Sequence, residues 1–473
     1  MDGLEVVELK LSKVLEVDTF RLDSDYVQKK YLHIMNNIKS KIHLFSSFSD
    51  LSIKVDASAF YPSLEPFYNK GNIPFLRVAD VDTHINYDNC VKIPKEIIED
   101  DSFKTLKVIH KGDIVITKGG SIARVGLIEQ NTAVTRDLIF LNSSQLSEVD
   151  YKFLYLYLLS NTSYNLMIRS SSMTAQPHLT IGLTRELPVF NPNNSFKLKV
   201  VDIYNLSKEK LEQSKTLYKQ AEELLLKELD LLDFKPSKEQ VSIKSFSESF
   251  GTSGRLDSEY YQPKYDDVIE KVTSSKYDTL GNIVNILKSV EPGSEAYQDS
   301  GIPFVRVSNL TKFGLSSPDI HLSENLFDNE TLEKLQPKRN TILLSKDGTV
   351  GIAYNIKDDT NIVTSGALLH LTLKKDDVLP EYLTLVLNSI IVQMQSERDA
   401  GGSIIKHWKP SEIAEVLIPI IDINIQTQIE EKIKESFKLK EESKQLLEVS
   451  KRAVEIAIED GENVSMEFIN AKV

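Results

Sequence analysis

The chain has 473 residues, 41% of them hydrophobic, which is too long for one ordinary domain and supplies apolar material for two cores plus something extended. A net charge of −13 excludes a protein that coats nucleic acid through bulk positive charge, so any DNA contact must be local. Cys90 is the only cysteine, which excludes an intrachain disulfide and a cysteine-built zinc site.

Taken in chain order, the opening MDGLEVVELKLSK lacks the basic-then-apolar order of a signal peptide, and no stretch approaches the roughly 20 apolar residues of a membrane span. A cytoplasmic protein is the expectation. Arg21-Leu22-Asp23-Ser24-Asp25-Tyr26 follows, then the apolar strand pattern Ile73-Pro74-Phe75-Leu76-Arg77-Val78. KGDIVITKGGSIARVGLI (111–128) predicts a hairpin with Gly119-Gly120 at its tip, and 150–161 predicts a helix packed on those strands. From Asn193 to Lys235 there is no Gly or Pro, and apolar residues recur at helical spacing, as in Leu217, Ala221, Leu224 and Leu231. That predicts a long helix.

The same order then returns about 230 residues later. Arg255-Leu256-Asp257-Ser258-Glu259-Tyr260 repeats the first segment and Ile302-Pro303-Phe304-Val305-Arg306-Val307 the second. RNTILLSKDGTVGIAY (339–354) echoes 111–126, with Asp347-Gly348 as a type I′ turn signal, and 380–390 predicts the matching helix. A second Gly- and Pro-free stretch, Ile420 to Asp460, closes the repeat. The period is far too long for a solenoid and predicts a duplicated domain. The expected boundaries are a first domain over 1–192, a central long helix over 193–235, a second domain over 236–419, and a C-terminal long helix and tail over 420–473. About 35 helical residues extend roughly 50 Å, more than one small domain can bury. The two helices are therefore expected to pair as an antiparallel coiled coil between two similar α+β domains related by an approximate two-fold axis. Segment 41–70 has no evident counterpart in 273–300, so the two domains are expected to have diverged in what they contact.

Several chemistries are missing from the sequence. Gly119-Gly120 runs into a strand rather than a helix, unlike a phosphate-binding loop, the eight histidines are scattered, and no Asn-Pro-Pro-Tyr or Asp-Pro-Pro segment that would position an amine for methyl transfer occurs. No catalytic, cofactor-binding or metal-ligating residue is assigned. What remains is a pair of similar modules held apart by long helices, a geometry suited to reading two half-sites on one duplex. The candidate DNA-contacting residues are Lys118, Gly120, Ser121 and Arg124 in the first hairpin and Lys346, Gly348 and Thr349 in the second, where a cation and a hydroxyl can reach phosphate or a base edge. Gln176 and His178, and Lys406 and Lys409, lie in the stretches before the exit strands and offer further donors. Arg77 and Arg306 recur inside apolar strands, which favours structural hydrogen bonds, and Trp408 reads as a packing residue. Tyr26, Tyr260 and Tyr261 read as framework.

The RLDSEYYQPKY segment (255–265), the Ile-Pro-Phe-x-Arg-Val strands, the Gly-Ser and Gly-Thr hairpins, and the exit IPIIDINIQTQIEEKIKE (418–435) resemble the two halves of type I restriction-modification specificity subunits, from about Phe20 to Asp460. The resemblance implies two target-recognition domains reading a bipartite, asymmetric double-stranded DNA target. It implies long helices that dock methyltransferase subunits, expected to be two, and further implies restriction subunits, phage defence through DNA methylation, and S-adenosylmethionine, ATP and Mg carried by those partners. One departure is Pro188-Val189-Phe190-Asn191-Pro192 where the second half has Pro419-Ile420-Ile421-Asp422, so the helix entries differ. Two other readings fit the same residues: a two-lobed protein-protein scaffold, and the recognition subunit of a fused nuclease-methyltransferase system of the type IIB kind.

Overall fold

The computed structural model describes residues 7–8, 10, 21, 23–171, 178–239, 241–401 and 405–472. The chain divides into two compact units. Unit 1 is built from 1–209 with 442–473, and unit 2 from 210–441.

In unit 1, strands β1 (Phe45–Ser46), β2 (Lys54–Ala57), β3 (Ile73–Leu76), β4 (Val91–Ile93), β5 (Lys107–Ile109), β6 (Ile114–Thr117), β7 (Val125–Leu127), β8 (Thr132–Val134), β9 (Leu138–Asn142) and β10 (Val189–Phe190) form two four-stranded sheets and one strand pair. The first sheet, in the order β2-β9-β6-β7, is antiparallel throughout. The second, β4-β3-β8-β5, contains one parallel pair, β3 with β8. Every residue of β6 is buried, and alternate side chains serve different cores. Ile114, Ile116, Ile139 and Leu141 pack with the helices, while Val115, Leu138 and Phe140 pack with Leu76, Ile109 and Val134 of the second sheet. A sheet covered on both faces has no solvent side, which is why its central strands read as continuous apolar runs rather than alternating ones.

The helix Glu148–Leu158 is capped by Ser147, whose hydroxyl accepts the Asp150 N–H, and it buries the whole run Phe153 to Leu158. Its two tyrosines keep their polar ends satisfied: Tyr155 donates to the Thr83 carbonyl at 2.7 Å and Tyr157 to that of Pro188, and burial pushes both phenols well above their ordinary range.

Unit 2 repeats the plan. Its strands are β11 (Tyr277–Thr279), β12 (Val284–Lys288), β13 (Tyr297–Gln298), β14 (Ile302–Val305), β15 (Leu310–Thr311), β16 (Gly314–Leu315), β17 (His321–Leu322), β18 (Ile342–Ser345), β19 (Ala353–Asn355), β20 (Val363–Thr364), β21 (Leu368–Leu373) and β22 (Leu417–Pro419). The sheet β12-β21-β18-β19 matches β2-β9-β6-β7 strand for strand, and β14 again pairs parallel with β20. The second sheets differ at their edges. Unit 1 adds β5 beyond β8, whereas unit 2 adds β13 beyond β17, at the opposite edge. Unit 2 also carries the small hairpin β15-β16, which unit 1 lacks among its described residues.

The two long helices run Asn194–Glu228 and Ile423–Glu459, and each contributes one part to each unit. Within unit 1, Ser207 and Ser443 are buried against each other, each hydroxyl donating to the other's carbonyl at 2.7 Å. Within unit 2, Ser436 donates to the Ser214 carbonyl at 2.8 Å and Lys432 to Gln220 at 3.1 Å, so the segments run antiparallel. A serine at these positions lets two backbones approach more closely than a leucine would, while its hydroxyl finds a carbonyl. Gly461, at φ +101°, ends the second helix, and a separate helix, Glu462–Lys472, folds back so that Ser465 donates to the Ala453 carbonyl at 2.6 Å. The same C-terminal part of unit 1 receives the Lys41 ammonium on the Ile458 carbonyl at 2.7 Å.

Gln426, buried at the start of the second long helix, stitches that helix to the loop before the helix Pro380–Asn388. Its carbonyl accepts the Leu379 N–H at 3.0 Å and its amide donates to the Asp377 and Ile421 carbonyls. Among the described residues no helix is long and apolar enough to cross a membrane.

Candidate nucleic-acid interface

The two hairpins expected to carry the site are real but are not two-residue turns. Strand β6 ends at Thr117 and β7 begins at Val125; β18 ends at Ser345 and β19 begins at Ala353. Each connection is a seven-residue loop, because the backbone beyond the strand is claimed from elsewhere. Lys118 donates its N–H to the Asp137 carbonyl at 3.0 Å and accepts from Leu179 at 2.9 Å. Lys346 does the same with Ala367 at 2.9 Å and Trp408 at 2.8 Å. The base of each loop is closed by a hydroxyl: Thr117 Oγ1 accepts the Arg124 N–H at 2.9 Å, and Ser345 Oγ accepts that of Ile352 at 2.9 Å. Gly120 (φ +71°) and Gly348 (φ +72°) take the left-handed turn that a side chain would strain.

These bonds draw the pre-exit stretch onto each tip, which joins groups that are distant in sequence. In unit 1 the His178 imidazole lies on Gly119, where a Cβ would come within 2.7 Å of the ring. In unit 2 the equivalent histidine, His407, is 64% exposed and hydrogen-bonded to Asp347, Nδ1 to Oδ1 at 2.8 Å. Gly348 donates to the Lys406 carbonyl at 2.9 Å. Thr117, Ser345, Asp347 and His407 are not among the DNA-contact candidates read from sequence, although stepping His178 forward by the repeat period lands on His407.

The candidate residues are placed as follows. Lys118 is half-buried and, among the described residues, its ammonium has no partner. Gly120 and Ser121 are exposed at the tip. Arg124 is half-buried with no paired carboxylate among the described residues, and lines a cavity of about 520 Å³ with Asp82, Asn161 and Tyr164. Gln176 lies outside the described residues. Lys346, in contrast, pairs with Asp347 and is only 12% exposed, so its charge is neutralised within the loop. Thr349 and Lys406 line an open cleft of about 530 Å³ with Gly348, Gln393 and Glu397. Lys409 faces away to Glu412 at 3.1 Å, at the start of the helix Pro410–Ala414. The two tips thus share a backbone design and differ in charge: two cations without a paired carboxylate among the described residues on one, and a neutralised lysine with Ile352 in the place of Arg124 on the other.

The repeated arginine segment is a brace. Arg21 pairs with Asp23 at 2.8 Å, donates to the Arg169 and Ser171 carbonyls at the end of helix Asn161–Ser170, and lies over the Tyr26 ring, whose plane also carries Arg169 at 3.7 Å. Arg255 pairs with Asp257, donates to the Asp399 carbonyl at 2.9 Å and lies over Tyr260, as does Arg398. A guanidinium at a helix C-terminus meets the negative end of the backbone dipole, so these arginines tie the module entrance to a helix end. The hydrogen bond from Arg255 holds the Asp257 carboxyl below its usual range, and the bond to Asp257 raises Arg255 in turn. Arg77 forks onto Asp80 at 2.9 and 3.1 Å within its own turn, and Arg306 reaches Asp319 at 3.1 Å. Trp408 is buried in the unit 2 core.

Comparison with known proteins identifies the domain. The family model described as the type I restriction modification DNA specificity domain matches twice, over residues 50–213 and 274–449. Among solved structures, the type I restriction-modification S subunit from M. genitalium aligns over 90% of this chain and 95% of its own at 13% identity, with a TM-score of 0.37. The HsdS subunit from Thermoanaerobacter tengcongensis aligns over 88% and 96% at 13% identity, with a TM-score of 0.28. The type IIG restriction endonuclease BpuSI covers 40% of this chain and 29% of its own at 10% identity, with a TM-score of 0.31. These structural likenesses are distant, and no curated protein matches. The duplicated match, which takes in most of the chain and both hairpins, places this protein in the family of type I restriction-modification DNA specificity subunits.

Proposed function

We propose that each unit reads one half of a bipartite, asymmetric DNA target, and that the chain docks two methyltransferase subunits together with restriction subunits. It does so without a catalytic centre of its own. S-adenosylmethionine, ATP and Mg belong to those partners, and the complex works in the cytoplasm. The observation that carries the reading is the pair of modules with the same central sheet and different edges: β5 closes one side of the second sheet in unit 1 and β13 the other side in unit 2. A shared frame suits a shared task, and divergent edges suit two different base sequences.

The hairpin tips supply the contacts. Lys118 and Arg124 favour phosphate or guanine in the first half-site, whereas the second tip offers His407, Thr349 and Lys406. With a net charge of −13 the isolated chain binds DNA weakly, and the partners supply much of the phosphate contact. The test is to exchange residues 20–190 with those of a relative of different specificity and sequence the methylated bases of the host. A change confined to one half-site is expected; an unchanged methylation motif refutes the assignment.

A further inference from the structure

Unit 2 holds a cleft of about 640 Å³ at the start of β18, the opposite end of that strand from the hairpin tip. Its floor is the sheet face on which Leu287 of β12 pairs with His370 of β21. Leu287 is 49% exposed there, and Thr372 is exposed beside it. The lips are two loops, 337–340 before β18 and 374–379 before the helix Pro380–Asn388.

Both lips are fixed from behind. In the first, the Asp359 carboxylate accepts the Arg339 N–H at 2.9 Å, the Ile356 carbonyl that of Asn340 at 2.8 Å, and the Pro337 carbonyl the Thr360 hydroxyl at 2.9 Å. In the second, Lys374 donates its N–H to the Ile283 carbonyl at 2.9 Å, and Gln426 holds Asp377 and Leu379. The backbone is engaged, but the charged side chains are not. Lys338, Arg339 and Lys375 are exposed and have no carboxylate partner among the described residues, whereas Lys334 is taken by Glu330 at 2.7 Å. Four cations and two carboxylates, Glu333 and Asp376, line the cleft, an excess of two positive charges on a chain whose net charge is −13.

Unit 1 fills the corresponding place. Phe140 stands where unit 2 has His370, and the Tyr151 ring lies on Gly112, the counterpart of Asn340, so near that a Cβ would come within 3.1 Å of it. The opening is therefore a property of unit 2 and not a requirement of the shared frame.

We propose that the cleft binds phosphate groups carried on a sugar or base, as in a nucleotide. A single carboxylate cannot engage three cations on two lips, whereas a diphosphate can, and the Arg339 guanidinium forks onto two of its oxygens. The volume is that of a small-ligand site, Leu287, Pro337 and Pro380 give a ring an apolar seat, and Thr372 and Asn340 offer hydrogen bonds. The phosphates of a DNA backbone present the same chemistry. The DNA source rests on the reading under Proposed function; the free nucleotide does not.

The two sources are separated by titrating ADP and inorganic pyrophosphate into the full-length chain by calorimetry, and target DNA into the assembled complex by fluorescence anisotropy over a range of salt. For a free nucleotide, ADP binds, and the triple variant Lys338→Ala/Arg339→Ala/Lys375→Ala weakens it at least tenfold, while the same loss of charge at Lys54, Lys70 and Lys107 of unit 1 does not. For a DNA backbone, ADP does not bind, and the triple variant lowers the slope of log K against log salt by about 0.9 for each cation that meets a phosphate. The three side chains lie in solvent, so the variant should keep the wild-type circular dichroism spectrum. If neither ADP nor pyrophosphate binds and the salt slope is unchanged, the site is refuted. It is equally refuted if ADP binds wild type and the triple variant alike, or if Leu287→Trp, which fills the floor without touching a charge, leaves ADP affinity as it was.

Discussion

The serine pair inside unit 1 makes a quantitative demand. Ser443 is 2% exposed and faces the other long helix, its hydroxyl 2.7 Å from the Ser207 carbonyl. Truncation to Ala removes one neutral buried hydrogen bond, worth about 1 kcal/mol, and takes away the acceptor beside the Ser207 hydroxyl, which keeps its bond to the Ser443 carbonyl. Replacing both serines by Ala should cost about twice as much, because each hydroxyl makes its own bond to the opposite carbonyl. Ser443→Leu is a different perturbation: it forces extra carbon atoms into a contact sized for serine, at about 1–3 kcal/mol beyond the lost bond. For a body of this size, each kcal/mol lowers Tm by about 2–4 °C. Differential scanning calorimetry of the full chain should place Ser443→Ala a few degrees below wild type and Ser443→Leu clearly lower. The exposed neighbour Lys444→Leu should stay within about 0.5 kcal/mol. If Ser443→Leu and Lys444→Leu melt alike, the helices do not pack as described.

Three further outcomes are expected. Arg255→Ala removes the pair with Asp257, the bond to the Asp399 carbonyl and the contact with Tyr260, and should destabilise unit 2 by about 2 kcal/mol in urea unfolding; Arg255→Lys should recover little, since an ammonium cannot reproduce the fork. His370 stands where unit 1 has Phe140, is buried with Thr364 Oγ1 2.8 Å from its Nε2, and is pushed by burial down to about 4. The neutral ring is the folded form, so its contribution is full above pH 6.5 and is lost as pH falls toward 4, amounting to roughly 3 kcal/mol; the stability of wild type relative to His370→Phe should fall by about that amount over the window. In the assembled complex, Lys118→Ala and Arg124→Ala should each weaken DNA binding and reduce the slope of log K against log salt by about 0.9, as read by fluorescence anisotropy, whereas Lys346→Ala should leave the slope unchanged because Asp347 already neutralises it.

The duplication was legible because it is collinear: the arginine segments, the Ile-Pro-Phe strands and the Gly- and Pro-free helices recur in one order, and the fold has the same central sheet in both units. The helices also lie close to where their spacing put them, at Glu148–Leu158, Pro380–Asn388 and Ile423–Glu459, but the central one, expected to reach Lys235, ends at Glu228, where the chain turns through Asp230 at φ +53°. What sequence could not give was the shape of the tips. Asp347-Gly348 signals a two-residue turn, yet Ser345 closes a longer loop whose neighbouring backbone comes from residues some 60 positions away. Local propensity knows nothing of Trp408 donating to the Lys346 carbonyl, or of Asp347 turning a candidate phosphate ligand into an internal ion pair. The edge strands escaped for a similar reason. β13 has two residues and β5 three, too short for alternation to register.

Unit 1 is assembled from two stretches separated by the whole of unit 2, and this fixes an order of manufacture on the ribosome. Residues 442–473, which supply the carbonyl that receives Lys41 and the helix face opposite Ser207, emerge only after residues 210–441 have been made. The first-synthesised module must wait, with part of its core uncovered, while the second can close on itself. Premature termination just after Glu441 would spare the later-made module and cripple the earlier one.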